Sequence, residues 1–124
     1  MPHLNIVIIE DDADLRETMK ELLEIEGFSV ATAENGQEGM KLIEQNGKPC
    51  LILLDMMMPV MNGWEFLDAI QRERQALLAE IRVAVVSAAA DMTEVKQRYG
   101  CSVLRKPVNV DQLFALAHEA CDRC

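Results

Sequence analysis

Aromatic side chains and positive charge are both scarce in this sequence. Five of the 124 residues are Phe, Trp or Tyr, so a core must be built from Leu, Ile, Val, Met and Ala. The formal net charge of −9 would repel phosphates, so we expect no direct binding to nucleic acid. No apolar run reaches the roughly 20 residues of a membrane-spanning helix, and the N-terminus has no basic segment followed by an apolar one. These absences favour one cytoplasmic domain over residues 1–124, with no membrane insertion.

The four cysteines do not form a complete metal-binding pattern. Cys50 and Cys101 adjoin apolar runs, where a free cysteine packs as a small hydrophobic residue. His118, Cys121 and Cys124 form an H-x-x-C-x-x-C pattern, which supplies three ligands where a structural zinc site needs four. We therefore interpret this segment as a reduced terminus and not as a zinc site.

Short apolar runs alternate five times with segments of helical periodicity. The predicted strands are Asn5–Ile9, Phe28–Ala33, Leu51–Leu54, Ile81–Val86 and Val103–Leu104. The predicted helices are Ala13–Glu26, a second from Asn35-Gly36 to about Asn46-Gly47, Gly63–Leu78, Asp91–Tyr99 and a last one after Pro107. Most of the strands are continuous apolar runs, which is typical of a parallel sheet covered by helices on both faces. The sequence therefore predicts an α/β fold, with a doubly wound five-stranded parallel sheet and five helices.

Polar side chains follow the strands at the edge where a parallel sheet binds ligands. Glu10 and Asp11 follow the first strand, Asp55 the third, Ser87 the fourth and Lys106 the fifth. Two carboxylates about 4 Å apart repel by roughly 4 kcal/mol at an effective dielectric of 20, so such a cluster requires a cation. A few oxygen ligands suit Mg²⁺, a lysine can hold a phosphoryl oxygen, and an aspartate is a candidate nucleophile toward phosphorus.

These residues resemble the receiver domains of two-component response regulators, including the single-domain chemotaxis type and the receivers of hybrid kinases. The resemblance spans the whole chain and implies a flavodoxin-like fold of the receiver type. It rests on four motifs at strand ends: Val7-Ile8-Ile9-Glu10-Asp11-Asp12, Asp55-Met56-Met57-Met58-Pro59 with Asn62-Gly63, Ser87-Ala88, and Lys106-Pro107.

The resemblance implies that Asp55 accepts a phosphoryl group from a phosphohistidine on a histidine kinase or phosphotransfer protein. It also implies bound Mg²⁺, with Asp11 and Asp55 as direct ligands. The backbone carbonyl of Met57 would be a third protein ligand, and Glu10 would act through water. The partner that reads the resulting signal is not implied.

The resemblance gives the remaining polar residues separate roles. Ser87 corresponds to the switch hydroxyl and Lys106 to the lysine that contacts the phosphoryl group, while the Lys106-Pro107 bond is commonly cis in the family. Asp12 is predicted to cap the first helix and not to bind metal. The chain departs from the family pattern at Val103, where an aromatic switch residue is usual. We therefore expect the signal to pass mainly through the loop from Ala88 to Asp91 and the short fourth helix, with little change at the fifth strand.

Two other functions are weighed against a receiver. An aspartate-nucleophile phosphohydrolase would carry an Asp-x-Asp arrangement, whereas residue 57 is Met. A phosphorylation-independent interaction domain would not need the complete set of acids, hydroxyl and lysine. The sequence leaves open whether the domain stands alone or belongs to a larger protein.

Overall fold

A computed structural model describes residues 4–47, 49–55, 63–73, 81–88, 97 and 101–121. Within 63–73, it describes the side chains of residues 65–70 and 72. The strands are β1 Ile6–Ile9, β2 Val30–Ala33, β3 Leu51–Asp55, β4 Arg82–Ser87 and β5 Ser102–Arg105. The helices are α1 Ala13–Ile25, α2 Gly36–Asn46, α3 Gly63–Glu73 and α4 Val110–Cys121. Of the predicted helix Asp91–Tyr99, only Gln97 is described, and it is helical.

The five strands form one parallel sheet in the order β2-β1-β3-β4-β5. This arrangement confirms the predicted doubly wound sheet. Connections leave β1 toward one edge and β3 toward the other, so the order of the strands reverses between these two central strands. A crevice outside the carboxyl ends of such strands is the usual ligand position in this architecture.

Two hydrophobic layers cover the sheet, and each draws on two helices. One face packs against α2 and α3 through Ile43, Phe66, Leu67 and Ile70. The other packs against α1 and α4 through Met19, Leu23, Leu113 and Ala117. All residues of β1 and β3 are buried, which is the physical reason that their sequences are continuous apolar runs.

The strands β3, β4 and β5 each extend one residue beyond their predicted carboxyl ends, while β1, β2 and β4 begin one or two residues later than predicted. β3 includes Asp55 and β4 includes Ser87, because the ladder pairs Asp55 with Val86 and Ser87 with Arg105. A strand continues through a polar residue as long as the backbone of that residue pairs with the neighbouring strand. The sheet itself therefore holds the backbones of both of these predicted site residues.

The ends of α1 agree with the predicted signals. Asp12 caps the helix, and its Oδ1 accepts hydrogen bonds from the amides of Asp14 at 3.0 Å and Leu15 at 3.2 Å. Gly27 follows the helix with a φ of 103°, a conformation that favours glycine. Because β1 ends at Ile9 and α1 begins at Ala13, the link between them is only three residues long, from Glu10 to Asp12.

Gly39 lets α2 approach β1 immediately before the acidic link. A Cβ at this position would overlap Cδ1 of Ile9, would lie 2.9 Å from Cγ1 of Ile9, and would lie 3.5 Å from Phe66. Ile9 is completely buried, so its side chain would have to shift within the packed core. The close approach of helix and strand therefore depends on the missing side chain.

We predict that Gly39→Ala destabilises the protein. Overpacking typically costs about 1–3 kcal/mol, and the better helix propensity of alanine returns up to about 1 kcal/mol. With the full gain in helix propensity, urea unfolding should show a net loss of up to about 2 kcal/mol. Gln37→Ala is the matched control, since Gln37 is exposed on the same helix, and it should leave the midpoint unchanged or slightly raised. Equal stability of Gly39→Ala and the parent would contradict the packing argument.

Candidate functional site

Three polar side chains are buried at the carboxyl edge of the sheet. Glu10 is 1% exposed, while Asp55 and Ser87 are each 4% exposed. They follow or end β1, β3 and β4, three neighbouring strands. Burying a carboxylate is costly unless charge, protons or hydrogen bonds compensate it. The concentration of such groups at one edge marks this edge as the candidate site.

Glu10, Asp11 and Asp55 form a cluster of carboxylates. Each offers one oxygen, and these oxygens lie within 4.8 Å of one another. Oε1 of Glu10 is buried and makes no hydrogen bond in the described part of the chain. Hard oxygen donors in close proximity and a buried acceptor lacking a hydrogen bond fit a small divalent cation such as Mg²⁺. Met57, the further ligand implied by the resemblance, lies outside the described residues.

Lys106 brings a positive charge to this cluster. Its Nζ lies 3.1 Å from Oε1 of Glu10 and 3.7 Å from Oδ1 of Asp55, so the ammonium forms an ion pair with each carboxylate. The amide of Lys106 also donates to the carbonyl of Ser87 at 3.0 Å, which ties the end of β5 to that of β4. The Lys106-Pro107 peptide bond is cis, as the resemblance implied. With all groups ionised, three carboxylates and one ammonium leave a formal charge of −2.

The pKa values of the groups in the cluster are shifted in different directions. Burial, reinforced by the neighbouring Asp55 carboxyl, raises the pKa of Glu10 to about 7. Burial also acts to raise the pKa of Asp11, but its contacts with Asp55 and Glu10 and the charge of Lys106 hold that pKa below its usual value. For Lys106, burial acts to lower the pKa, and the surrounding carboxylates outweigh it and raise the pKa. Near neutral pH, Asp11 and Lys106 are therefore charged while Glu10 titrates.

Local contacts hold the link that carries Glu10 and Asp11. The amide of Asp12 donates to Oε2 of Glu10 at 3.3 Å. Nη1 of Arg16, in the first turns of α1, donates to the main-chain carbonyl of Glu10 at 2.9 Å. Arg16 did not enter the sequence prediction. Its position six residues after Glu10, at the start of a capped helix, was the available signal.

Val103 and His118, which were also named from the sequence, have neighbours on other elements. Val103 is half-buried in β5 opposite Val85. Nε2 of His118 lies 2.9 Å from Oε2 of Glu26, so this histidine joins α4 to the end of α1.

The described cysteines lie away from the carboxylate cluster. The thiol of Cys121 lies 3.9 Å from the carbonyl of Asn5. Burial raises the pKa of Cys101 to about 12, in keeping with its predicted packing role. Cys124 lies outside the described residues.

Comparisons with known proteins agree with this arrangement. Residues 6–118 match the response regulator receiver domain family, and the chain belongs to that family. It is 34% identical over 113 residues to the probable C4-dicarboxylate response regulator DctR of Bacillus subtilis (strain 168), covering 87% of this chain and 48% of that protein. It is 37% identical over 111 residues to the response regulator receiver protein Anae109_2439 of Anaeromyxobacter sp. (strain Fw109-5), covering 89% of this chain and 45% of that protein.

Solved structures show the same fold. A response regulator receiver domain protein from Clostridium thermocellum superposes with a TM-score of 0.81 at 27% identity, covering 96% of this chain and 94% of that one. The chain spans half or less of the length of the curated relatives described above. Residues 6–118 therefore form a receiver domain, a signalling domain of two-component systems. None of the described helices combines the length and hydrophobicity that a membrane crossing requires.

The raised pKa of Glu10 predicts how the stability of the metal-free protein changes with pH. The folded state holds the Glu10 proton more tightly than the unfolded state, whose ordinary value is 4.5. The resulting stabilisation is complete below the unfolded pKa and is lost as pH rises through about 7. In EDTA, the free energy of unfolding of the parent should therefore fall between pH 5 and pH 8, relative to Glu10→Gln.

Glu17→Gln is the control for this experiment, because Glu17 is exposed on α1. The free energy of unfolding of this variant should change with pH in the same way as that of the parent. A Glu10→Gln profile that also runs parallel to the parent would show that Glu10 does not titrate in this range.

Proposed function

We propose that this domain is a phosphorelay receiver that accepts a phosphoryl group on Asp55 in a Mg²⁺-dependent reaction. The observation that carries the proposal is the convergence of Glu10, Asp11, Asp55 and Lys106 at one sheet edge. Three acids with one ammonium leave negative charge that a divalent cation offsets, beside a carboxylate that can act as nucleophile. Family membership supports the same reading.

The proposed step is displacement at phosphorus. One carboxylate oxygen of Asp55 attacks the phosphorus of a phosphohistidine whose other ring nitrogen is protonated. The P–N bond breaks, its electron pair stays on the ring nitrogen, and the histidine leaves as neutral imidazole. The product is an aspartyl phosphate, which a water molecule later hydrolyses. Asp55 is held at the last position of a buried strand, so its carboxyl group has a fixed position beside Lys106. Such positioning of the reacting groups lowers the barrier to transfer.

The neighbouring residues receive distinct roles in this proposal. Lys106 stabilises negative charge on the incoming phosphoryl group, because its ammonium already lies 3.7 Å from the acceptor carboxylate. Ser87 donates its hydroxyl to a phosphoryl oxygen and shifts with it. Glu10, Asp11, Asp55 and the backbone carbonyl of Met57 would hold Mg²⁺. When bound, Mg²⁺ neutralises the repulsion between these carboxylates and the phosphoryl oxygens.

The proposal extends to partners and setting. A histidine kinase or phosphotransfer protein supplies the phosphoryl group, and a downstream protein reads the altered surface. Residues 1–124 act as one receiver domain in the cytoplasm, and the domain catalyses only its own phosphorylation and dephosphorylation. No direct contact with nucleic acid is part of the proposal, since the net charge of −9 opposes it.

Incubation with acetyl phosphate and Mg²⁺ tests the acceptor. Intact-mass measurement should show one added phosphoryl group on the parent and none on Asp55→Asn, because an amide cannot form the acyl phosphate. Asp68→Asn on α3 is a matched control and should be labelled like the parent. Equal labelling of Asp55→Asn and the parent would exclude Asp55 as the acceptor.

Mg²⁺ should stabilise the folded protein, because it relieves repulsion within the carboxylate cluster. At ten times its dissociation constant, a ligand of the native state adds about 1.4 kcal/mol. That gain corresponds to a melting shift of several degrees. Asp11→Asn should reduce the shift, since it removes one of the charged oxygen ligands of the cation. A melting curve of the parent that does not change with Mg²⁺ would contradict the proposed cation site.

A further inference from the structure

The backbone of Glu10 is held on two sides, although Glu10 itself lies just beyond β1. Its amide donates to the carbonyl of Ala33 at 3.1 Å, which continues the pairing with β2. Its carbonyl accepts from Nη1 of Arg16 at 2.9 Å. A backbone carbonyl removed from water requires a donor, and Arg16 supplies it from the adjoining helix.

The hydrogen bond from Arg16 also constrains Asp11. The carbonyl of Glu10 and the amide of Asp11 belong to one planar peptide unit, so fixing the oxygen fixes the plane. Asp11 is exposed and follows this plane directly. Its place in the carboxylate cluster therefore depends on the backbone more than on side-chain packing.

Arg16 is itself firmly anchored. Its amide donates to the carbonyl of Asp12 at 2.9 Å, the first hydrogen bond of α1, and Asp12 caps the same helix. The guanidinium group thus links a rigid helix end to the end of β1. This link spans the three residues that carry both acids.

We infer that Arg16 is a positioning residue of the proposed Mg²⁺ site. Its hydrogen bond to the Glu10 carbonyl orients the Glu10–Asp11 peptide and so places the Asp11 carboxylate toward the cation. The inference rests on the proposed function, because it concerns the affinity of that cation site. Arg16 acts through the backbone, since its hydrogen bond goes to the main-chain carbonyl of Glu10 and not to a carboxylate of the cluster.

Charge and positioning predict opposite effects when Arg16 is replaced by methionine, which preserves a long apolar side chain. Loss of a positive charge beside an acidic cluster would strengthen cation binding by electrostatics alone. Loss of the positioning hydrogen bond should weaken it. Groups that orient metal ligands typically contribute about 10–100-fold to metal affinity. Lys20→Met is the matched control, since it removes the same charge from the same helix.

The experiment is calorimetric titration with Mg²⁺ of the parent, Arg16→Met, Lys20→Met and Asp11→Asn, with urea unfolding in EDTA to establish that each is folded. We expect Arg16→Met to raise the dissociation constant at least about tenfold and Lys20→Met to leave it unchanged or lower it. Should Arg16→Met not fold, Arg16→Lys takes its place. It keeps the charge and loses the planar guanidinium, so the dissociation constant should again rise relative to the parent.

Two outcomes would overturn the inference, and they are distinguishable. If the parent binds Mg²⁺, Asp11→Asn weakens binding and the Arg16 variant binds like the parent, Arg16 has no positioning role and the proposed function stands. If the parent binds no Mg²⁺, the proposed function fails and the role of Arg16 fails with it.

Discussion

A carboxylate that is removed from water must be compensated, and this requirement governs the carboxyl edge of the sheet. Glu10 is almost completely buried beside Asp55, which is itself buried. Within the described residues, the compensation comes from a proton, since the pKa of Glu10 is raised to about 7, and from the Lys106 ammonium at 3.1 Å. When Glu10 is ionised, the negative charge of the three carboxylates therefore exceeds the single positive charge of Lys106. A divalent cation would offset this excess, and a phosphoryl group would then find both a nucleophile and a counter-charge.

The rest of the fold serves to hold these charges together against their mutual repulsion. Two layers of apolar side chains fix β1 and β3, the strands whose ends carry the acids. Gly39 allows α2 to pack tightly on Ile9, one residue before Glu10. The strand ends themselves are tied by the hydrogen bond from the Lys106 amide to Ser87. Stability from the core thus offsets the cost of a strained electrostatic cluster, as is common at functional sites.

Much of this arrangement could be predicted from the sequence, because the signals are local. Continuous apolar runs predicted the strands, and their alternation with helical segments predicted the parallel sheet. Polar residues at the strand ends predicted the edge where Glu10, Asp55 and Lys106 meet. Contacts that depend on side-chain direction could not be predicted. The sequence did not reveal that Lys106 lies nearer to Glu10 than to Asp55, or that Arg16 reaches back to the Glu10 carbonyl. Both depend on the orientation of a helix or loop against a strand end, which residue spacing does not specify.

The central claim is that the carboxylates of Glu10, Asp11 and Asp55 form a divalent cation site. Mn²⁺ prefers the same oxygen ligands as Mg²⁺ and gives an anomalous X-ray signal. A crystal structure with Mn²⁺, measured at its absorption edge, should show an anomalous peak about 2 Å from oxygens of Asp11 and Asp55. An anomalous map with no peak between these carboxylates, at Mn²⁺ concentrations that saturate receiver-type sites, would contradict the account.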